Sequence, residues 1–510
     1  MNISFLKSTR HNICIILLTM WSAMVMAEFD TDVPTGWAVV PSSVGRPPID
    51  KLTEADLAKY PTTMVSGLGV TPTWDVGGVA NTIGGGNGRM VEASGEEVKK
   101  YAFMDEPLVI MASGTVGNFQ LKSHKTIVGV GEGLNVKGQI VVNGVKNVIL
   151  RNINVTGGND AMEIAWGSNH IWIDHCDVSA CKDGLIDFKR AADKNTVSWV
   201  RFSKHHKTML INNGPALPED KNRLNITLHH LFWDGTNTRN PRAGWGQIHI
   251  LNCYYNKNGG YGIHVYGNAE VTIEKNYFNN VKDAISNHGG GGTGYVYLID
   301  NYTQGSGVKK KSATDPDRIF YVDKVYMYNM VLTEDVMKVP DVVQAGAGTG
   351  SQWGKIGAIP TPGQGCVTVS ITPTLKWTKV GSEGPLPKTS KVYFGTTNPP
   401  PELTTVEGYR YKPGKLKDAT VYYWKINEGK VWTFRTDASV TSIDSKRQPS
   451  VKNVVTKKPT SVLKVGIPGK SSHFIGVQGG KNQNSVYLMN GKEIIKGTKT
   501  PAKVKKVVVK

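Results

Sequence analysis

The sequence predicts an all-β protein: a right-handed parallel β-helix, then a small C-terminal β-sandwich and a basic tail. Three observations lead there. Strand starts of the form apolar–any–apolar recur at a near-constant spacing through the middle of the chain. The stretches between them hold turn formers rather than amphipathic helices. Beyond a Gly/Pro/Thr-rich stretch the pattern changes to short strands rich in aromatic residues.

The repeat comprises Val148–Ile153, Ile171–Cys176, Val197–Phe202, Ile226–Leu231, Ile248–Cys253, Val271–Asn276 and Val296–Asn301. Their first residues lie 23, 26, 29, 22, 23 and 25 positions apart. Alternation marks a strand with one buried face, and this period suits one coil of a solenoid. Gly157-Gly-Asn-Asp160 and Gly259-Gly260 supply turns between strands. A βαβ fold needs helical crossovers, and the pattern encodes none here. Stacked coils fill their interior with ladders of like residues. The last positions, Ile153, Cys176, Phe202, Leu231, Cys253, Asn276 and Asn301, read as one inward ladder, apolar first and then amide. Leu108–Ser113 and Lys125–Gly131 extend the coils upstream, while residues 28–90 are irregular and Gly/Pro-rich.

At 510 residues the chain has room for two or three domains. Lys7 and Arg10, the mostly apolar Ile13–Met26 and a V-M-A ending at Ala27 predict an export signal. The apolar run is short for a bilayer span. The expected units are a signal peptide (1–27), a β-helix (28–343), a linker (344–365), a sandwich (366–437) and a basic tail (438–510). Sandwich strands are expected at Leu375–Trp377, Val392–Phe394, Val421–Trp424 and Val431–Phe434, with Pro399-Pro-Pro401 between. They resemble a fibronectin type III module. Val486–Leu488 and Val504–Val509 form a last strand pair, faintly similar to the C-terminal sorting domains of secreted bacterial proteins.

The formal charge is +19, and residues 441–510 hold 15 Lys and Arg against 2 Asp and Glu, so most of it belongs to the tail. Such a tail attracts a polyanion (nucleic acid, pectate or a cell surface) or is simply solvated. The reading adopted is a secreted monomer without a membrane span, whose partner is an acidic polysaccharide and not nucleic acid. After signal removal Cys176, Cys181, Cys253 and Cys366 remain, with no CxxC pair for a zinc site. One disulfide or four buried thiols fit that count, and the thiols are the plainer reading.

Chemistry concentrates between Asp160 and Arg242. Asp183 and Asp187 sit as D-G-L-I-D just past the Ile171 strand, and Asp160 lies one coil earlier. Coils stack about 4.8 Å apart, so the three can share an outer face. Clustered carboxylates repel unless a cation joins them, and hard oxygen ligands suit Ca²⁺. A single Asp ordinarily caps a turn; three on adjacent coils point to metal. Lys189 shares the face of Asp187. Lys207, then Arg239 and Arg242, lie on following coils. One Lys is ordinarily a solvated surface charge. A row of cations beside a carboxylate–calcium cluster suits an acidic polymer.

Trp172-Ile-Asp-His-Cys176 resembles the W-I-D-H motif of polysaccharide lyase family 1, the pectate lyases. Asp183-Gly-x-x-Asp187, Val197-Ser-Trp199, His206-Lys207, Arg239-x-Pro-Arg242, Gly246-x-x-His249 and Asn252-Cys-Tyr-Tyr255 follow in the family's order. The resemblance implies that Asp160, Asp183 and Asp187 hold Ca²⁺, that Lys189 and Lys207 bind the substrate carboxylate, and that Arg239 is the base. Trp172 and His175 would be structural. It implies β-elimination on de-esterified polygalacturonate, leaving a 4,5-unsaturated end. A free guanidinium keeps its proton to about pH 12, so the base role asks for a strongly perturbing setting. The sequence departs from the family at Gly244, where a second substrate-binding arginine is usual. Arg242 substitutes for it, or Trp245 stacks on a sugar. Three alternatives stand beside this reading. A pectin lyase needs no calcium, which leaves three Asp unexplained. A glycoside hydrolase needs paired carboxylates and no basic row. A non-catalytic pectate-binding homologue fits the gap at Gly244.

Three other motifs are set aside. His288 with Gly289–Gly292 lacks a G-x-S-x-G partner. Gly84-Gly-Gly-Asn-Gly88 lacks the Lys-Ser/Thr of a phosphate loop. His229-His230 has no third ligand at useful spacing.

Overall fold

The computed structural model describes residues 33–42, 44, 79–131, 133–214, 218–287, 292–309, 315–328, 335–381 and 384–440, and the backbone of 485–490, 493–498 and 504–507. Ten parallel strands, from Arg89–Ser94 to Tyr295–Ile299, pair in sequence order as one sheet. Each pairs with the strand one coil away, which makes a parallel solenoid. Short strands such as Asp177–Ser179, Arg201–Ser203 and Phe232–Asp234 stack into a second face. Ile186–Phe188, Met209–Ile211, Arg242–Gly244 and Tyr261–Tyr266 stack into a third. The long strand Ile153–Ala165 turns the corner between the last two: its start pairs with Asp177–Ser179 and its end with Ile186–Phe188.

The corner between the first and second faces is the same in seven successive coils. Asn152, His175, Trp199, His230, Asn252, Lys275 and Asp300 all adopt a left-handed conformation, φ 46–58°. They occupy equivalent register positions, one per coil. A non-glycine residue there is strained. Stacking offsets part of the cost: the rings of His175, Trp199 and His230 stack in turn, at 5.7 and 4.2 Å between centroids.

One residue past that corner runs the inward ladder, with one correction. It contains Cys176, Val200, Leu231 and Cys253, not Phe202. The third strand begins at Asn195, two residues before the alternation suggested. Phe202 instead heads a second interior stack with Trp233, Tyr255 and Phe278, at 4.5, 5.7 and 4.4 Å. The amide end is as expected. Asn276 Oδ1 accepts from Cys253 N (2.9 Å), and Asn301 Oδ1 from Asn276 N (3.0 Å). The four described cysteines are free thiols, three of them buried.

Two faces are overlaid by chain segments. Gly36–Val39 crosses the first face, where Trp37 N donates to Thr227 Oγ1 (3.0 Å) and Ala38 N to Thr196 Oγ1 (3.2 Å). The helix Val339–Gly346 lays Val339 and Val343 on Phe232, Tyr254 and Tyr277 of the second face. The stretch 344–365, expected to be a linker, is packed instead. Trp353 lies 3.7 Å from the His175 ring, and Ile356 and Ile359 join a cluster with Trp172. Its apolar residues bury on the solenoid, which its Gly/Pro/Thr content concealed.

The C-terminal sheets form a small sandwich. Pro360–Thr361, Leu375–Trp377 and Arg410–Tyr411 face a five-stranded sheet that includes Thr389–Gly395, Val421–Ile426 and Trp432–Thr436. One core of Trp377, Phe394, Tyr422, Trp424, Trp432 and Phe434 joins them. In the tail, the strands expected to pair directly each pair with Glu493–Thr498 between them. The export signal lies outside the described residues, as does His288. Among the described residues no helix is long and apolar enough to cross a membrane.

Two stability outcomes follow. Trp233→Ala removes the middle of a fully buried stack and should cost about 3–5 kcal/mol, read from urea denaturation. Burial also lowers the pKa of His170 and of His229 to about 3, and that of His230 well below its ordinary value. The neutral forms are the folded forms, so their contribution is complete above the unfolded value near 6.5 and is lost as pH falls from there towards 3. The urea midpoint should therefore drop steadily between pH 7 and pH 4, each histidine contributing at most about 1.4 kcal/mol per pH unit.

Candidate active site

The third face carries the charged residues in register. Glu163 lies opposite Asp187, Asp187 opposite Leu210, and Leu210 opposite Arg242 on four successive coils. Asp160 sits at the bend of the long strand and is buried, as is Asp187. Its Oδ1 accepts from Gly184 N at 2.8 Å. A Cβ on Gly184 would lie 2.8 Å from Asp187 Oδ1 and 3.1 Å from Asp160 Oδ1, so glycine alone lets both carboxylates close over that turn.

Lys189 stands among these carboxylates. Its Nζ is 3.0 Å from Glu163 Oε2, 3.7 Å from Asp187 Oδ2 and 3.8 Å from Asp160 Oδ2. Burial opposes its charge, but Glu163, Asp187 and Asp160 more than offset that and raise its pKa. For Asp187 burial wins: its carboxyl is pushed up to about 7, with Asp160 adding and Lys189, Leu210 N–H and Arg239 opposing. Asp183 is exposed and pairs with the next coil. Its Oδ1 accepts from Lys207 Nζ at 2.8 Å, which with Lys207 and Arg239 charges nearby holds its carboxyl below the ordinary range.

Lys207 bridges to Thr238, so Arg239 follows on the next coil, half-buried and left-handed at φ 59°. Arg242 lies over the Tyr266 ring, 4.3 Å from its centroid. Asp160, Asp187 and Lys189 are thus in one cluster, Asp183 and Lys207 in an adjoining pair, and Arg239 and Arg242 beyond. Trp245 packs partly against the solenoid core. Trp172 and His175 are buried and structural: His175 Nδ1 meets Asp174 Oδ2 at 2.6 Å, and Trp172 Nε1 donates to Ser198 Oγ at 2.9 Å. His229 and His230 are buried together at 3.0 Å.

Glu163 was missed by sequence reasoning. Its signal is arithmetic: it precedes Asp187 by one coil, 24 residues. Tyr266 was missed as well, one coil beyond Gly244.

Among the described residues no three His, Cys, Asp or Glu side chains converge closely enough to hold a metal ion. The donor chemistry nevertheless suits one. The set is all oxygen, and the buried Asp187 and Asp160 repel each other and gather a cation, here the Lys189 ammonium. Asp183 is the member that stands apart.

Comparison with known proteins shows the family. A family model described as pectate lyase matches residues 112–351. Pectate lyase B of Colletotrichum gloeosporioides is 30% identical over 272 residues, half of this chain and 81% of that one. The chain belongs to the pectate lyase family. The pectate trisaccharide-lyase of Thermotoga maritima is 32% identical over 211 residues, 37% of this chain. The present chain spans 56% of that relative's length. A crystal structure of a pectate lyase from Bacillus sp. N165 with trigalacturonate is 24% identical, covering 53% of this chain and 97% of that one, TM-score 0.46.

The departure at Gly244 has a steric cause. A Cβ there would lie 2.8 Å from Cζ and 2.9 Å from Cε1 of Tyr266, and 3.2 Å from Asn212 Cβ. Gly244→Ala should lose about 1–3 kcal/mol of stability by overpacking, measured by urea denaturation, and should cost less than that when introduced into Tyr266→Ala.

Proposed function

We propose that this chain is an exported pectate lyase that cleaves de-esterified polygalacturonate by calcium-assisted β-elimination, releasing 4,5-unsaturated oligogalacturonides. One observation carries the reading: Lys189, Lys207, Arg239 and Arg242 follow Asp160, Asp183 and Asp187 along one face on consecutive coils. An anionic polymer needs a cationic track, and elimination needs one acidified C–H beside it.

Lys207 is the more exposed of the two lysines and would pair the C6 carboxylate of the sugar at the cleavage point. Lys189, held by Glu163, would keep the buried acidic cluster charge-balanced and contribute a second cation. Asp160, Asp183 and Asp187 would hold Ca²⁺, which when bound withdraws charge from the sugar carboxylate and acidifies the C5 hydrogen. Arg239, one coil on from Lys207, would take that proton, and the C4 glycosidic oxygen would leave. Neutralising the charge that develops on the carboxylate is the largest contribution such a site makes.

Export with cleavage after Ala27, a monomeric state and a fibronectin type III character for the sandwich belong to the same proposal. The export reading rests on the basic–apolar–small pattern of residues 1–27, and the sandwich's character on the aromatic core shared by the two C-terminal sheets. A second reading, a pectate-binding homologue without turnover, is favoured by Gly244 alone.

The mature protein incubated with polygalacturonate should give rising ultraviolet absorbance from unsaturated products. A chelator should abolish the rise and added calcium restore it. Arg239→Ala should lower kcat by about 10²–10⁴-fold. Reducing ends without absorbance would mean a hydrolase, and binding without either would mean the silent homologue.

A further inference from the structure

Arg242, Gly244, Tyr266, Asn212 and Asp220 form one mechanical unit next to Arg239. Gly244 and Tyr266 are register partners on adjacent strands, and only the missing Cβ at 244 lets the Tyr266 ring lie across its neighbour. Tyr266 is 2% exposed. Its hydroxyl donates to Asn212, 3.0 Å from Oδ1 and 3.1 Å from the backbone O. Asn212 Nδ2 in turn donates to Asp220 Oδ2 at 2.7 Å, and Asp220 Oδ1 accepts from Ala191 N at 2.7 Å. The ring is therefore held at both its edge and its tip, and it carries the Arg242 guanidinium on its face at 4.3 Å.

A guanidinium stacked on an aromatic ring points its N–H donors in its own plane, which suits bidentate pairing with a carboxylate. Arg242 stands in the same outward column as Asp187 and Leu210, with His264 next along. It lies three residues past Arg239 on the coil after Lys207, beside the groups proposed to act at the cleavage point. We propose that Tyr266 is a positioning residue: held through Asn212 by Asp220, it aligns Arg242 to bind the carboxylate of the galacturonate unit next to the one being cleaved. The inference rests on the pectate lyase reading. It makes the subsite selective for an unesterified sugar at that place, because a methyl ester offers no charge to the guanidinium.

A double-mutant cycle on the full mature chain tests this. Tyr266→Leu should raise KM for polygalacturonate by about tenfold, with a smaller change in kcat. In the Arg242→Ala background the same substitution should change KM less than twofold, since it then has nothing to align. Tyr266→Phe, which keeps the ring but loses the Asn212 bond, should fall between wild type and Tyr266→Leu. Melting temperatures of all variants separate a folding defect, which would act equally in both backgrounds. Equal effects of Tyr266→Leu with and without Arg242 overturn the proposal, as does an effect on kcat alone. A wild type that produces no unsaturated product overturns the lyase reading itself, and this inference with it.

Discussion

Everything on the working face depends on a corner that lies on the other side of the solenoid. In seven successive coils one residue, never a glycine, is held left-handed between the first and second faces. That repeated turn sets the phase of every coil. With a strand period of two, a slip of one residue would turn every buried side chain outward. The corner therefore decides which residues face the interior, and through them which reach the third face. Its cost is offset locally. His175, Trp199 and His230 stack on one another, and Trp353 covers the first of them. The Trp172–Cys176 motif is best understood as part of this corner. Asp174 is fully buried; burial opposes its charge, yet His175, Arg151 and Ser198 together hold its carboxyl below the ordinary value.

The same stacking brings like charges close on the third face, where the outcome is different. Two carboxylates one coil apart cannot both ionise in a buried setting without a counter-ion. Lys189 supplies one and is itself kept charged by Glu163. It does not fully neutralise Asp187, whose carboxyl remains raised. A buried acidic pair left short of positive charge is a poor way to stabilise a solenoid. It is a reasonable way to attract a divalent cation and, beside it, a polyanion. The lysine that fills the cluster is thus continuous with the track of Lys207, Arg239 and Arg242.

The coil period was legible because it rests on alternation, which burial of one face enforces. The amide ladder from Cys253 to Asn301 was legible for the same reason. Phe202 was misplaced because alternation alone allows a shift of two: Asn195 and Thr196 look like turn residues yet begin the strand. The 344–365 stretch was misread because composition cannot tell a flexible linker from an irregular strap whose few apolar residues find a groove. Asp160, Asp183 and Asp187 could be put on one face from spacing. Which of them meets which cation could not, because that depends on rotamers and on the bend at Asp160. Glu163 was within reach of the coil arithmetic, but its position in an alternating strand made it look like an ordinary outward residue.

Gly244 shows how a parallel solenoid links residues that no local pattern connects. Read along the chain, it is a missing side chain three residues from a proline. Read across the coils, it is the space that Tyr266 occupies. The absence on one strand and the aromatic on the next are a single steric choice, made 22 residues apart. The ring then needs an anchor, which Asn212 and Asp220 provide from a loop two coils' length away in sequence. Any change that enlarges residue 244 must displace Tyr266, and displacing Tyr266 releases Arg242. In this architecture the shape of a coil's outer surface is therefore set by its neighbours above and below as well as by its own strand.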